Sequence, residues 1–197
     1  MAIPEEADPF ALFGRWFDEA GACKAIQDAT AMALATVDEH GAPAVRMVLL
    51  KHWDTDGFVF YTNLGSPKAR QLMGNPRAAL CFYWMPLEKQ IRIEGAVTPV
   101  SGAEADAYFA SRDRQSRVGA WASKQSQPLT RRFELERRVA HFAARFGLGE
   151  IPRPSWWSGF RVRPDRIEFW ILQPYRLHDR VCYDRCDAGW QRRRLFP

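Results

Sequence analysis

Arg46-Met-Val-Leu-Leu-Lys51 sets two cations at the ends of an apolar run. Charges so placed either reach solvent or hold an anion. Side chains alternate along a strand, so Arg46 and Lys51, five residues apart, point to opposite sides. A site shared by both needs a bulge or a sharp twist between them. Tyr61-Thr-Asn-Leu-Gly-Ser-Pro-Lys68 ends a strand, turns at a glycine and opens a helix. Hydroxyls and a lysine at a helix N-terminus suit a phosphate, although a plainly capped helix would read the same. Tyr108, Arg112 and Ser116 are spaced by four and share a face if one helix carries them. A phenol, a guanidinium and a hydroxyl can hold a phosphate dianion, and a solvated helix face is the plainer alternative. Trp121-Ala-Ser-Lys-Gln-Ser126 is a polar stretch, and Phe169-Trp170 precedes Arg176-Leu-His-Asp-Arg180, where a histidine lies between two arginines.

The elements that must position these residues are legible in outline. Asp8-Pro9 ahead of Phe10, Phe13, Trp16 and Phe17 predicts a capped amphipathic helix. Residues 31–37 and 44–53 predict two strands of a hairpin, and 58–62 a third strand after the turn Asp54-Thr-Asp-Gly57. Ser66-Pro67 opens a short helix that Asn75-Pro76 closes. Strands are expected at 78–84 and 90–100, and a helix at 101–111 with Ser101 as its cap and Glu104 three residues on. A longer helix is expected over 129–146, a loop over 152–159, and short closing strands at 160–162, 166–172, 180–183 and 190–195. Many short strands with hairpin turns and a few helices favour a mainly β, α+β fold of Greek-key barrel type. Regular βαβ alternation is missing, which disfavours a doubly wound nucleotide fold.

The 197 residues fit one domain, 1–197, with residues 1–8 expected to be a flexible start. Hydrophobic residues make up 47% and charged residues 26%, which excludes a disordered chain. No run approaches a membrane span and the acidic start lacks the apolar stretch of a secretory signal, so a cytoplasmic protein with reduced thiols is expected. Cys182 and Cys186 have no second pair or histidine cluster nearby, so no metal site is expected. The net charge of +5 comes mostly from arginine, whose planar fork suits phosphate oxygens. Nucleic acid would fit that charge, but there is no recognition-helix pattern and no basic arm, so it is not expected as a partner. GxGxxG, P-loop, HExxH and GxSxG motifs are all missing.

Taken in order, Arg46-Met-Val-Leu-Leu-Lys51, Phe60-Tyr-Thr-Asn63, Gly65-Ser-Pro-Lys-Ala69, Glu88-Lys-Gln90, Tyr108-Phe-Ala-Ser-Arg112, Val118-Gly-Ala-Trp-Ala-Ser-Lys-Gln-Ser126, Phe160-Arg161, Ile167-Glu-Phe-Trp170 and Arg176-Leu-His-Asp-Arg180 resemble the pyridoxine/pyridoxamine 5'-phosphate oxidases. The resemblance covers roughly residues 8–197. It implies an FMN-binding split β-barrel that works as a homodimer with each flavin at the subunit interface. The implied FMN ligands are Arg46, Tyr61, Thr62, Lys68, Gln90, Gln125, Ser126, Trp170 and Arg180. The implied substrate ligands are Lys51, Tyr108, Arg112 and Ser116 on the phosphate, with Arg176 and His178 as the catalytic pair near the pyridine ring. The implied reaction passes a hydride from the carbon bearing the amine or alcohol to the flavin. Oxygen then reoxidises the flavin, giving pyridoxal 5'-phosphate and hydrogen peroxide. The flavin carries the hard chemistry, which accords with the lack of a triad or carboxylate pair.

Two departures stand out. Many members carry arginine where this chain has Pro67, so weaker FMN binding is expected here. Relatives often have a longer basic N-terminal arm that covers the substrate, and here that cover is expected to be absent or replaced. Two rival readings remain. One is a split-barrel flavin oxidase of another pathway, such as the phenazine-biosynthesis oxidases, which tend to lose the phosphate-holding substrate residues. The other is a non-catalytic protein that binds pyridoxal phosphate or nucleic acid.

Overall fold

The structure is a computed structural model that describes residues 2–197. Helix α1 (Pro9–Ala22) starts as expected: Asp8 accepts from the Phe10 amide and Pro9 occupies the first turn. Strands β1 (Ala31–Val37) and β2 (Pro43–Leu49) form the hairpin. After a break at Leu50-Lys51, the short β3 (His52–Asp54) turns into β4 (Gly57–Asn63). Helix α2 (Pro67–Gly74) leads to β5 (Arg77–Trp84) and β6 (Lys89–Pro99). Helices α3 (Gly102–Ser111), α4 (Arg114–Ala122) and α5 (Glu134–Phe146) follow. The chain closes with β7 (Trp157–Ile171), β8 (Asp179–Cys186) and β9 (Gly189–Leu195).

All pairings are antiparallel, in the order β2-β1-β5-β6-β7-β4-β3, with β8 and β9 continuing from β7. The sheet curls until the Lys51 amide donates to the Val59 carbonyl at 2.9 Å, which joins the β2 end to β4. This is the expected α+β split barrel. Strand β7 makes the split, since its first part pairs with β4 and its last part with β8. Alternate residues turn inward, and α1 packs its aromatic face against them: Phe13 lies edge-on to Phe58 at 4.8 Å and Trp16 to Phe169 at 5.1 Å. Among the described residues no helix is long and apolar enough to cross a membrane.

Four local expectations are corrected. The strand expected over 44–53 is two strands, because the sheet edge passes from β1 to β4 at Leu50-Lys51. The two strands expected at 160–162 and 166–172 are one, β7. Pro164 is tolerated there because β4 pairing ends at Val162 and β8 pairing begins at Arg166, while the register to β6 shifts at Glu94/Gly95. The helix expected over 129–146 begins only at Glu134, after Phe133 in the left-handed region. Tyr108, Arg112 and Ser116 do not lie on one helix: Arg112 ends α3 with extended backbone, and Asp113 caps α4 by accepting from the Ser116 amide at 2.8 Å.

Residues 2–8, expected to be a flexible start, lie against β8 and β9. Ile3 is 1% exposed and its amide donates to Asp179 Oδ2 at 2.7 Å. The Tyr183 hydroxyl donates to the Glu6 carbonyl.

A side chain at the β6 bulge has no room, since a Cβ on Gly95 would fall 1.9 Å from the Arg163 carbonyl oxygen, a backbone atom. Gly95→Ala is therefore expected to destabilise the fold by about 3 kcal/mol. Urea unfolding should show a lower midpoint with an unchanged slope. An unchanged midpoint would contradict the close approach.

Candidate functional site

The split in the barrel opens a cavity of about 450 Å³ between β2, β4, α2, the α3–α4 break and the start of β7. Two cationic groups face it. The first is Lys68, in the first turn of α2 and only 9% exposed. Its Nζ lies 3.2 Å from Thr62 Oγ1, 3.4 Å from Ser66 Oγ and 3.3 Å from Gln125 Oε1. Ser66 is the N-cap residue, yet its hydroxyl turns to Lys68 and makes no cap bond. Among the described residues no carboxylate pairs with this ammonium. Burial, and after it the nearby Arg46 charge, pull the Lys68 pKa below the ordinary lysine value.

The second group is Tyr108, Arg112 and Ser116, which line the same cavity together with Lys51. The α3–α4 break brings them there in place of a continuous helix face. Arg112 Nη1 is shielded from solvent and has no hydrogen-bond partner. Its guanidinium lies over the Trp157 ring at 4.9 Å, and burial lowers its pKa. Tyr61 stacks on Tyr108 at 4.0 Å and on Trp157 at 5.2 Å. Burial, then the Glu104 and Tyr108 charges, push the Tyr61 phenol up to about 12, so it stays a proton donor at neutral pH.

Not every expected residue reaches the cavity. Arg46 alternates on β2 with Met47 and Leu49, which line the cavity, while Lys51 lies past the end of that strand and lines it too. Arg46 donates to Thr36 Oγ1 at 2.5 Å and to Gln71 Oε1 at 2.9 Å, on the flank of Lys68. Ser126, in the left-handed region with φ 66°, lines a smaller neighbouring cavity with Lys124 and Gln127. Gln90, Trp170 and Arg180 form a separate row, directly paired across β6, β7 and β8. Arg180 Nε donates to Glu168 Oε1 at 2.8 Å. The His178 ring lies 4.6 Å from Trp170, and its Nδ1 accepts from the Gln173 amide at 3.2 Å. Arg176 is exposed beside it, and Tyr175 and Arg176 are both left-handed. Within one chain, then, Tyr61, Thr62, Lys68, Gln125, Lys51, Tyr108, Arg112 and Ser116 converge, and Gln90, Trp170, Arg180, Arg176 and His178 do not join them.

Sequence reasoning missed Trp157, Thr36, Gln71 and the direct contact of the Ser66 hydroxyl with Lys68. Trp157 reads as part of a Pro-rich loop until its pairing with Asn63 is known. A hydroxyl just ahead of proline reads as a cap, which hides Ser66.

A buried lysine ringed by neutral oxygens and an arginine with an unpaired shielded nitrogen are both short of an anion. Phosphate supplies one with several strong acceptors, so the donor set fits a phosphorylated cofactor.

Comparison with known proteins agrees. The sequence pattern described as pyridoxamine 5'-phosphate oxidase matches residues 20–146, and that of the pyridoxine 5'-phosphate oxidase C-terminal dimerisation region matches residues 157–197. The pyridoxine/pyridoxamine 5'-phosphate oxidase of Maricaulis maris is 63% identical over 99% of this chain and 88% of its own length. That of Rhodospirillum rubrum is 57% identical over the full length of both. Among solved structures, PhzG from Burkholderia lata 383 in complex with tetrahydrophenazine-1-carboxylic acid superposes with a TM-score of 0.91 at 30% identity, covering 98% of this chain and 94% of that one. An FMN-binding protein of Nostoc punctiforme shares the fold, with a TM-score of 0.77 at 19% identity over 98% of this chain and all of that one. On the matched pattern and the near-complete coverage of its relatives, the chain belongs to the pyridoxine/pyridoxamine 5'-phosphate oxidase family.

Proposed function

We propose that this protein is an FMN-dependent oxidase that converts pyridoxamine or pyridoxine 5'-phosphate to pyridoxal 5'-phosphate, with the Lys68 group holding the FMN phosphate and the Arg112 group the substrate phosphate. The observation that carries the assignment is that both cationic groups line one cavity and, among the described residues, make no salt bridge to a carboxylate. Bound FMN would supply a hydride acceptor for the substrate carbon bearing the amine or alcohol and would pass two electrons, with protons, to oxygen as hydrogen peroxide; from the amine, water would then release ammonia to leave the aldehyde. The chain itself binds and orients. Lys68, Thr62 and Gln125 anchor one phosphate, with Arg46 adding charge from the flank. Lys51, Tyr108, Arg112 and Ser116 fix the other, so the two ring systems meet between them.

The row Gln90, Trp170, Arg180, with Ser126, Arg176 and His178, completes the site from a second copy of the chain. The outward sheet face supports this. On β2 it presents Val45, Met47 and Leu49, which are 71%, 64% and 40% exposed, beside Ala31, Ala33 and Ala35 on β1. Small and apolar residues on an open face suit packing against a copy of itself. The same face runs on to Gln90, Trp170 and Arg180, so a two-fold contact there lays one copy's row towards the other's cavity. The C-terminal dimerisation pattern covers β7, β8 and β9, which carry Trp170 and Arg180, and leaves β1, β2 and β6 outside it.

A phenazine-type oxidase is the second reading, favoured by the likeness to PhzG. The phosphate-ready set Lys51, Tyr108, Arg112 and Ser116 weighs against it. Turnover separates them: the purified protein should be yellow and should release peroxide with pyridoxamine 5'-phosphate under air. A colourless protein that takes up no FMN would contradict the proposal.

Two further outcomes are expected. Lys68→Met should weaken FMN binding by roughly 10- to 100-fold, the range of a lost charge-assisted contact. The folded-state pKa of Lys68 is lowered, so the protonated form that grips phosphate is lost as pH rises, beginning below the ordinary lysine value. FMN affinity of the wild type should therefore fall in that alkaline window, and that of Lys68→Arg should fall less; a fluorescence titration across pH checks both. Pro67 is exposed at the first position of α2 beside Lys68. Pro67→Arg should tighten FMN roughly three- to tenfold, and no tightening in the same titration would remove Pro67 as a cause of weak binding.

A further inference from the structure

We propose that Trp157 is the positioning residue for Arg112: its indole face holds the guanidinium so that every in-plane donor stays available to the substrate phosphate. The inference rests on Arg112 taking that phosphate.

Arginines kept out of water are usually fixed by carboxylates, which occupy their donors and cancel their charge. Arg153 and Arg161 of this chain are of that kind, the first on Asp106 and the second on Asp54 and Glu104. Arg112 differs. Its guanidinium lies 4.9 Å above Trp157 and 5.7 Å from Phe109, and Nη1 has no acceptor. A ring face attracts the cation through its quadrupole and uses none of its N–H groups. The planar fork is thus oriented while its hydrogen-bonding edge is left for an incoming anion.

The shelf itself is fixed on several sides. Trp157 is 7% exposed, its amide donates to the Pro154 carbonyl at 3.0 Å, and its carbonyl accepts from Arg153 Nη1 at 2.8 Å. Phe109 meets the ring edge-on at 5.0 Å. Tyr61 lies parallel to it within 4°, and Tyr108 within 11°. Gly159, directly opposite Tyr61, makes this stack possible, because a Cβ there would lie 2.7 Å from Tyr61 Cδ1. Trp157 therefore sets the geometry of a phosphate ligand that the α3–α4 break would otherwise leave loose.

The test uses the FMN-loaded enzyme, with pyridoxamine 5'-phosphate as substrate and inorganic phosphate as competitive inhibitor. Trp157→Leu should raise KM and the phosphate Ki together by roughly tenfold, with kcat moving far less and FMN affinity unchanged. Trp157→Phe should recover most of the loss. Site-specific fluorinated tryptophan at 157 keeps the shape and drains the ring's negative face, so KM and Ki should climb with each added fluorine. Constant KM and Ki across the fluorinated series would overturn the proposal even if Trp157→Leu fails to fold. Equal defects in Trp157→Phe and Trp157→Leu would overturn it too. Phosphate inhibition that survives Arg112→Met unchanged would instead remove the substrate-phosphate assignment on which the proposal rests.

Discussion

Lys68 is a buried cation and Arg112 a half-buried one with a shielded Nη1, and among the described residues neither makes a salt bridge. Burial disfavours the charged form and lowers the pKa of each group. The barrel sustains the arrangement because hydroxyls, an amide and stacked rings stand in for the absent charge. Thr62, Ser66 and Gln125 surround the ammonium, and Trp157 underlies the guanidinium. Such neutral supports hold a cation in place without neutralising it, which suits an anionic ligand.

The split in the sheet makes room for these two cations. Strand β7 serves β4 with one half and β8 with the other, and the opening between is roofed by α3 and α4. Residues from β4, α2, α4 and β7 face a common space there. The row on β6, β7 and β8 lies on the outward face, away from this opening, and in the proposed reading it would complete the site from a second chain.

Features governed by neighbours in sequence were legible. The Asp8-Pro9 and Ser101 caps, the hairpin at β1–β2 and the turn at Asp54 to Gly57 follow from local chemistry, and the structure has them where they were expected. Features decided by distant partners were not. Pro164 reads as a strand end, yet the gap between its two partner strands lets β7 run through. The spacing of Tyr108, Arg112 and Ser116 suggests one helix, but Asp113 competes for the Ser116 amide and starts another. The ordered likeness to a family supplied most of the candidate ligands, since nothing local separates a phosphate lysine from a capped helix. The part played by Trp157 needed the β4–β7 register and was invisible in the chain.

The central claim is that two phosphates bind at two distinguishable cationic groups of one cavity. Phosphorus NMR of the FMN-loaded enzyme with pyridoxal 5'-phosphate added tests it most directly. Two bound resonances are expected, with Lys68→Met perturbing that of FMN and Arg112→Met that of the pyridoxal phosphate. A single substitution that moves both resonances alike, or Arg112→Met leaving the second untouched, would contradict the account.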